Sequence, residues 1–182
     1  MRFEPVEKID KLGRRVLLRS PELTDAAALI EYLKVTSGET PFLLREPEEI
    51  QITPQKEGAF LQGRLEAERE CMVLAEVEGR IAGSCSVFRA EPYRKTAHRC
   101  EIGIALYKAY WGCGIGRMLM EHALTLAREY GYEQAELETA SENAAAIALY
   151  ESLGFQVCGR LPHNMKYSDG TYADMLWMMK ML

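Results

Sequence analysis

The chain has 182 residues, 48% of them hydrophobic and 27% charged, with a formal net charge of −5. That length favours one domain over residues 1–182 and is enough to bury a full core. The acidic balance leaves no basic surplus to displace counterions, which argues against general nucleic-acid binding, and no apolar run approaches the ~20 residues that would span a membrane.

In chain order, Val16–Arg19 reads as a strand. Thr24 or Asp25 then caps a helix running to about Lys34. Residues 36–54 carry Gly38, Pro41, Pro47 and Pro54 and are expected to be irregular. A second helix is expected from about Glu57 to Glu70. Met72–Val77 and Ile81–Phe88 flank Glu78-Gly79-Arg80, a hairpin signal, and Cys100–Leu106 is a further strand. Ile115, Leu119, His122, Leu126 and Tyr130 recur at helical spacing until Gly131 stops them. Ala135, Leu137 and Thr139 alternate with Glu136 and Glu138 as in a strand. Ala144–Leu153 reads as a helix with Asn143 at its N-cap and Gly154 at its end. Two strands close the chain, Phe155–Leu161 and Thr171–Lys180, with Asp169-Gly170 as the turn. This order predicts a mixed α and β fold.

Five cysteines, Cys71, Cys85, Cys100, Cys113 and Cys158, stand singly without C-x-x-C spacing. Neither a metal site nor a dithiol redox site is signalled. The start, Met1-Arg2-Phe3-Glu4-Pro5, lacks an apolar stretch, so the expectation is reduced thiols and a cytoplasmic protein.

The segment Trp111-Gly112-Cys113-Gly114-Ile115-Gly116 lies between a strand and a helix. Glycine permits sharp turns and close backbone approach, and the free N–H groups of a helix start favour a phosphate. A tight turn without a ligand is the plain structural alternative. A Walker loop is disfavoured because Arg117-Met118 follows Gly116 in place of Lys-Ser/Thr. A dinucleotide fingerprint is disfavoured because the spacing is G-x-G-x-G and the motif comes late in the chain.

Here the sequence resembles the GNAT superfamily of acyl-CoA N-acyltransferases. Gly114 and Gly116 match the superfamily's [RQ]-x-x-G-x-[GA] loop, with Trp111 in place of Arg or Gln. The segment Asn143 to Phe155, NAAAIALYESLGF, resembles a second motif, N-x-x-A-x-x-L-Y-x-x-x-G-F. The strong resemblance covers roughly residues 72–161. It implies an α/β (α+β) GNAT fold: a single mixed, mostly antiparallel sheet of six to seven strands flanked by about four helices. It further implies an acetyl-CoA-dependent N-acetyltransferase acting on a primary amine of a small molecule, amino acid or peptide N-terminus. The alternative from another class is a non-catalytic acyl-CoA sensor, and an unrelated nucleotide-binding α/β protein is a third. Similar proteins often dimerise, so a homodimer is among the expectations. No metal is implied.

The resemblance places the CoA pyrophosphate on the loop around Trp111, Cys113, Gly114, Ile115, Gly116, Arg117 and Met118. The preceding strand would pair with the pantetheine arm through main-chain groups of Ile102, Ile104 and Leu106. Asn143 would contact the pantetheine or adenine side, or serve only as a helix cap. Tyr150 would be the acid for the leaving thiolate, or a core aromatic beside Ile147 and Leu153. Glu138 and Glu101 are rival general bases, and a solvated strand-face charge is the alternative for each. Cys113 has no neighbouring histidine in sequence to activate it, and His98, His122 and His163 read as strand edge, helix face and loop. Glu39, Glu46, Glu48, Glu49 and Glu57, against Arg45 and Lys56, would make either an acidic acceptor groove or a solvated loop.

Overall fold

The computed structural model describes residues 1–182. All the strands join one sheet of eight, ordered β1-β2-β3-β4-β5-β6-β8-β7. They are β1 (Val6–Ile9), β2 (Arg15–Arg19), β3 (Cys71–Val77), β4 (Arg80–Arg89), β5 (Arg99–Leu106), β6 (Gln134–Ala140), β7 (Gln156–Lys166) and β8 (Tyr172–Met181). The helices are α1 (Ala26–Glu39), α2 (Pro54–Glu66), α3 (Ile115–Glu129) and α4 (Ala144–Ser152). The eighth strand, beyond the expected six to seven, is β1. It is four residues long, lies at the sheet edge and is mostly exposed. Main-chain pairing with β2 holds it, and Val-Glu-Lys-Ile carries no buried alternation to announce it.

Several boundaries differ from expectation: α2 ends at Glu66 and β7 runs on to Lys166, and two helix limits have a visible cause. α1 runs on to Glu39, and its start is organised by Glu22, whose carboxylate and that of Asp25 form a reciprocal capping box around a 3-10 turn. α2 begins earlier, at Pro54, because Thr53 accepts from the Lys56 N–H and Pro54 occupies the first helical turn. The β3–β4 hairpin turns on Glu78 (φ 52°) and Gly79 (φ 75°), the two successive left-handed residues of a two-residue turn.

Each face of the sheet is covered. On one, Val73, Cys85, Ile102 and Leu137 pack against Ile115, Leu119 and Ala123 of α3, with Tyr150 of α4 and Phe155 in the same cluster. On the other, Leu74 packs against Leu29 and Tyr32 of α1 and Leu61 of α2. We call these the α3 face and the α1 face. β5 and β6 form the one parallel pair, joined by a crossover through α3.

Candidate active site

The β5–β6 ladder is short. It pairs Arg99 with Gln134, Cys100 with Ala135 and Glu101 with Glu136, then stops, although both strands continue. Main-chain direction alternates along β5. Tyr107 donates to Ala82 of β4 (3.1 Å), whereas the His98 carbonyl accepts from Gln134 on the β6 side (3.2 Å). Even-numbered residues therefore face β6, and the peptide groups of Ile104 face a gap with no strand opposite. The Leu106 carbonyl also points to that side, where it accepts from the Trp111 indole N–H (3.0 Å). The side chains of Ile102, Ile104 and Leu106 belong to the α3-face core.

The gap runs into the glycine turn. After a 3-10 turn at Lys108–Tyr110 the chain passes through Gly112 (φ 74°) and Gly114 (φ 90°) before α3 begins. Both are left-handed conformations that an L side chain would strain. The N–H groups of residues 112–117 have no acceptor within the protein, and the first helical bond is made by Met118 to the Gly114 carbonyl (3.2 Å). A run of such groups at a helix start is a cradle for an anion. A Cβ on Gly116 would meet Leu149 of α4 at 3.4 Å and Leu106 at 3.7 Å, so loop, strand end and α4 converge there. Cys113 is buried, and its thiol lies 3.5 Å from the Trp111 carbonyl.

α4 borders the same gap. The Asn143 side chain accepts from the Ala146 N–H (3.3 Å) and so acts as a helix cap. Tyr150 is buried, and burial pushes its phenol well above the ordinary range. Its hydroxyl donates to no protein group. Arg117 reaches across to the Ser152 hydroxyl (2.7 Å) and pairs loosely with Glu121 (3.7 Å).

Both candidate bases lie on the α1 face, across the sheet from Tyr150, beside the gap. Glu101 sits opposite Phe88 of β4, and Glu138 sits opposite Trp177 of β8. Glu136 lies between them. It is 2% exposed, because Arg99 chelates it and Gln134 donates to it (2.7 Å). Burial alone would raise Glu136, yet the guanidinium holds it below the ordinary carboxylate range. Glu101 behaves oppositely. Burial, followed by the charges of Glu136, Glu138 and Glu91, raises its carboxyl, with Arg99 opposing. The floor beside it is made of small residues, Gly103, Ser86 and Ser84. The Tyr32 hydroxyl from α1 donates to the Ala105 carbonyl (2.6 Å) and accepts from the Ser84 N–H (3.1 Å), tying that helix to β4 and β5.

The acidic stretch 39–57 is largely spent on local structure. Glu39 caps the Lys108 N–H (2.7 Å), Glu46 and Glu49 cap one another's turn, and Glu57 is buried with its carboxyl raised by that burial. Two features of the site had no counterpart in the sequence reading. One is the small-residue floor, which depends on which β4 residues face β5. The other is the β1–β2 turn, which packs on the glycine loop through a bond from the Lys11 N–H to the Cys113 carbonyl (3.0 Å). Neither contact is local in sequence.

Residues 37–155 match the family model described as Acetyltransferase (GNAT) family. Among curated proteins, the chain is 33% identical over 126 residues to streptothricin acetyltransferase of Streptomyces lavendulae, which covers 65% of each chain. The match spans less than two thirds of the length of that relative and of the other curated relatives compared. Among solved structures, an acetyltransferase of the GNAT family from Streptococcus pneumoniae superposes with a TM-score of 0.87 at 28% identity, over 92% of this chain and 99% of that one. A ribosomal-protein-alanine N-acetyltransferase from Brucella melitensis superposes at 0.81 and 27% identity, over 91% and 99%.

Proposed function

Because the chain belongs to the acetyltransferase (GNAT) family, we propose that it is an N-acetyltransferase, carrying an acetyl group from acetyl-CoA to a primary amine. The observation that carries this reading is the gap between β5 and β6 that opens onto the glycine turn. An extended thioester with a pyrophosphate matches that shape, with open main-chain edge for its arm and unpaired N–H groups for its phosphates. Bound there, it supplies the activated acetyl group. We assign residues 1–182 to one acetyltransferase domain, located in the cytoplasm, where its five free thiols stay reduced. Like the relatives whose names specify streptothricin or a ribosomal-protein alanine, this chain is assigned an amine acceptor, either a small molecule, an amino acid or a peptide N-terminus.

In this reading the N–H groups of residues 112–117 and the Arg117 side chain hold the pyrophosphate. Trp111, Ile115 and Met118 shape the loop. Ile102, Ile104 and Leu106 line the arm, and Asn143 lies along it while capping α4. Tyr150 donates its proton to the departing sulfur, and burial keeps the phenol protonated until that step. A carboxylate on the α1 face receives the amine's proton. An alkylammonium of pKa ~10.4 costs about 4.6 kcal/mol to deprotonate at pH 7, and a peptide α-amine about 1 kcal/mol. Its raised carboxyl favours Glu101 for this step, with Glu138 as its neighbour. The nearest alternative, a CoA sensor without catalysis, gives no reason for a buried phenol and two carboxylates to meet at one gap.

The test is thiol release from acetyl-CoA against a panel of amino acids, polyamines and short peptides. At least one amine is expected to be turned over. Tyr150→Phe, which removes a hydroxyl bonded to no protein group, is expected to lower kcat by about 10²–10⁴-fold. Tight acetyl-CoA binding without turnover of any amine would support the sensor.

A further inference from the structure

The loop that we assign to the pyrophosphate is poor in charge. Between Trp111 and Met118 the only basic side chain is Arg117, and Arg117 is already shared between Ser152 and Glu121. Trp111 directs its indole N–H to the Leu106 carbonyl and away from any anion on the turn. A pyrophosphate diester carries two negative charges, so a second cation would be stabilising there.

The β1–β2 turn brings one. Asp10, with no exposed side-chain surface, organises this turn. Its carboxylate accepts from the N–H groups of Leu12 and Arg14 (2.9 Å each) and from the Arg14 Nε (2.8 Å). Gly13 takes φ 79° and donates to the Asp10 carbonyl (3.0 Å). The Arg14 guanidinium, neutralised by Asp10, lies 5.2 Å from the Tyr110 ring centroid and so clamps the turn to the chain leading into the loop. Lys11 stands at its tip. Its N–H is fixed on the Cys113 carbonyl, and its side chain lies along Gly114. A Cβ built on Gly114 would be 3.4 Å from the Lys11 Cγ and 3.6 Å from its Cε. The ammonium, one C–N bond beyond, is therefore within about 5 Å of that point. It forms no ion pair within the protein, and a compact, rotatable ammonium suits a phosphate oxygen as a point charge.

The geometry points to Lys11 as a donor-binding residue that supplies, from the N-terminal hairpin, the second cation for the CoA pyrophosphate. This inference rests on the donor assignment above. It also gives a purpose to β1, whose turn reaches the loop only because β1 is paired to β2.

The test is calorimetric titration of the full chain and of Lys11→Gln with CoA, dephospho-CoA and pantetheine. Unliganded melting and Lys11→Arg serve as controls. Lys11→Gln is expected to weaken CoA and dephospho-CoA about five- to twenty-fold, to leave pantetheine unchanged and to flatten the salt dependence of Kd. Lys11→Arg is expected to retain most of the affinity, and the unliganded melting temperature to stay put because Lys11 is exposed. An unchanged Kd for CoA in Lys11→Gln, with the parent binding normally, overturns the role of Lys11 alone. Weakening confined to CoA would move the contact to the 3′-phosphate and overturn the pyrophosphate assignment. Failure of the parent chain to bind CoA at all would overturn the donor reading and this inference with it.

Discussion

Glu101 and Glu138 lie on neighbouring strands, on the same face of the sheet. Glu101 is raised by burial and by three neighbouring carboxylates, Glu136, Glu138 and Glu91. Removing one of those charges should therefore bring it down. If Glu101 takes the amine proton, Glu138→Gln shifts the acidic limb of the kcat/KM profile to lower pH and leaves the plateau within about tenfold. Glu101→Gln should then lose the limb and most of the activity. Loss of the plateau in Glu138→Gln, with Glu101→Gln still active, would transfer the role to Glu138. Stability gives an independent readout. A carboxyl raised in the folded state favours folding below its unfolded pKa, and that advantage is lost as pH rises through the folded value. Glu101→Gln should accordingly melt higher than the parent at pH 7, and the difference should vanish below about pH 4. At this scale the carboxylates were legible in the strand alternation. The contrast between Glu101 and Glu136 was not, since it arises from burial and like charges around Glu101 and from Arg99 chelating Glu136.

The strand β5 is the element on which the proposed donor and acceptor sides meet, and Gly83 of β4 sets where it lies. A Cβ at Gly83 would be 2.6 Å from the Leu106 Cγ and 2.8 Å from the Ala105 carbonyl oxygen. Gly83→Ala must therefore push the end of β5 away from β4. We expect it to cost about 1–3 kcal/mol, a fall in Tm of roughly 3–10 °C, and to raise the KM for acetyl-CoA. Gly63→Ala in α2, where nothing lies within 4 Å, should instead stabilise by about 0.5–1 kcal/mol and leave KM alone. Equal melting temperatures for the two variants would show that β5 is not held in this way. Helices with a strong apolar stripe or a capped start, such as α3 and α4, were readable from spacing together with Gly131, Asn143 and Gly154. The hairpin β3–β4 was readable from its turn. The edge strand β1 was not, because pairing holds it and little of it is buried. The short ladder between β5 and β6 was not either, because each strand has an ordinary pattern and only their divergence makes the gap.

In the proposed reading the whole molecule divides its work between the two faces of one sheet. The glycine turn, Tyr150 and α4 lie on the α3 face, the carboxylates and α1 lie on the other, and the β5–β6 gap connects them. The two motifs carry the proposed donor side, because a backbone cradle calls for glycines and a helix cap at set spacings. The face proposed for the acceptor carries residues that only the sheet register assembles, such as Ser84, Ser86 and Gly103, so no spacing in the chain announces it. The measurement that bears most directly on the donor assignment is thermal unfolding of the purified chain with acetyl-CoA, ATP or NAD. At a hundredfold excess over its Kd, acetyl-CoA should add about 2.7 kcal/mol, a rise of roughly 5–10 °C, while ATP and NAD leave the transition where it was. Stabilisation by ATP or NAD and none by acetyl-CoA would contradict the account.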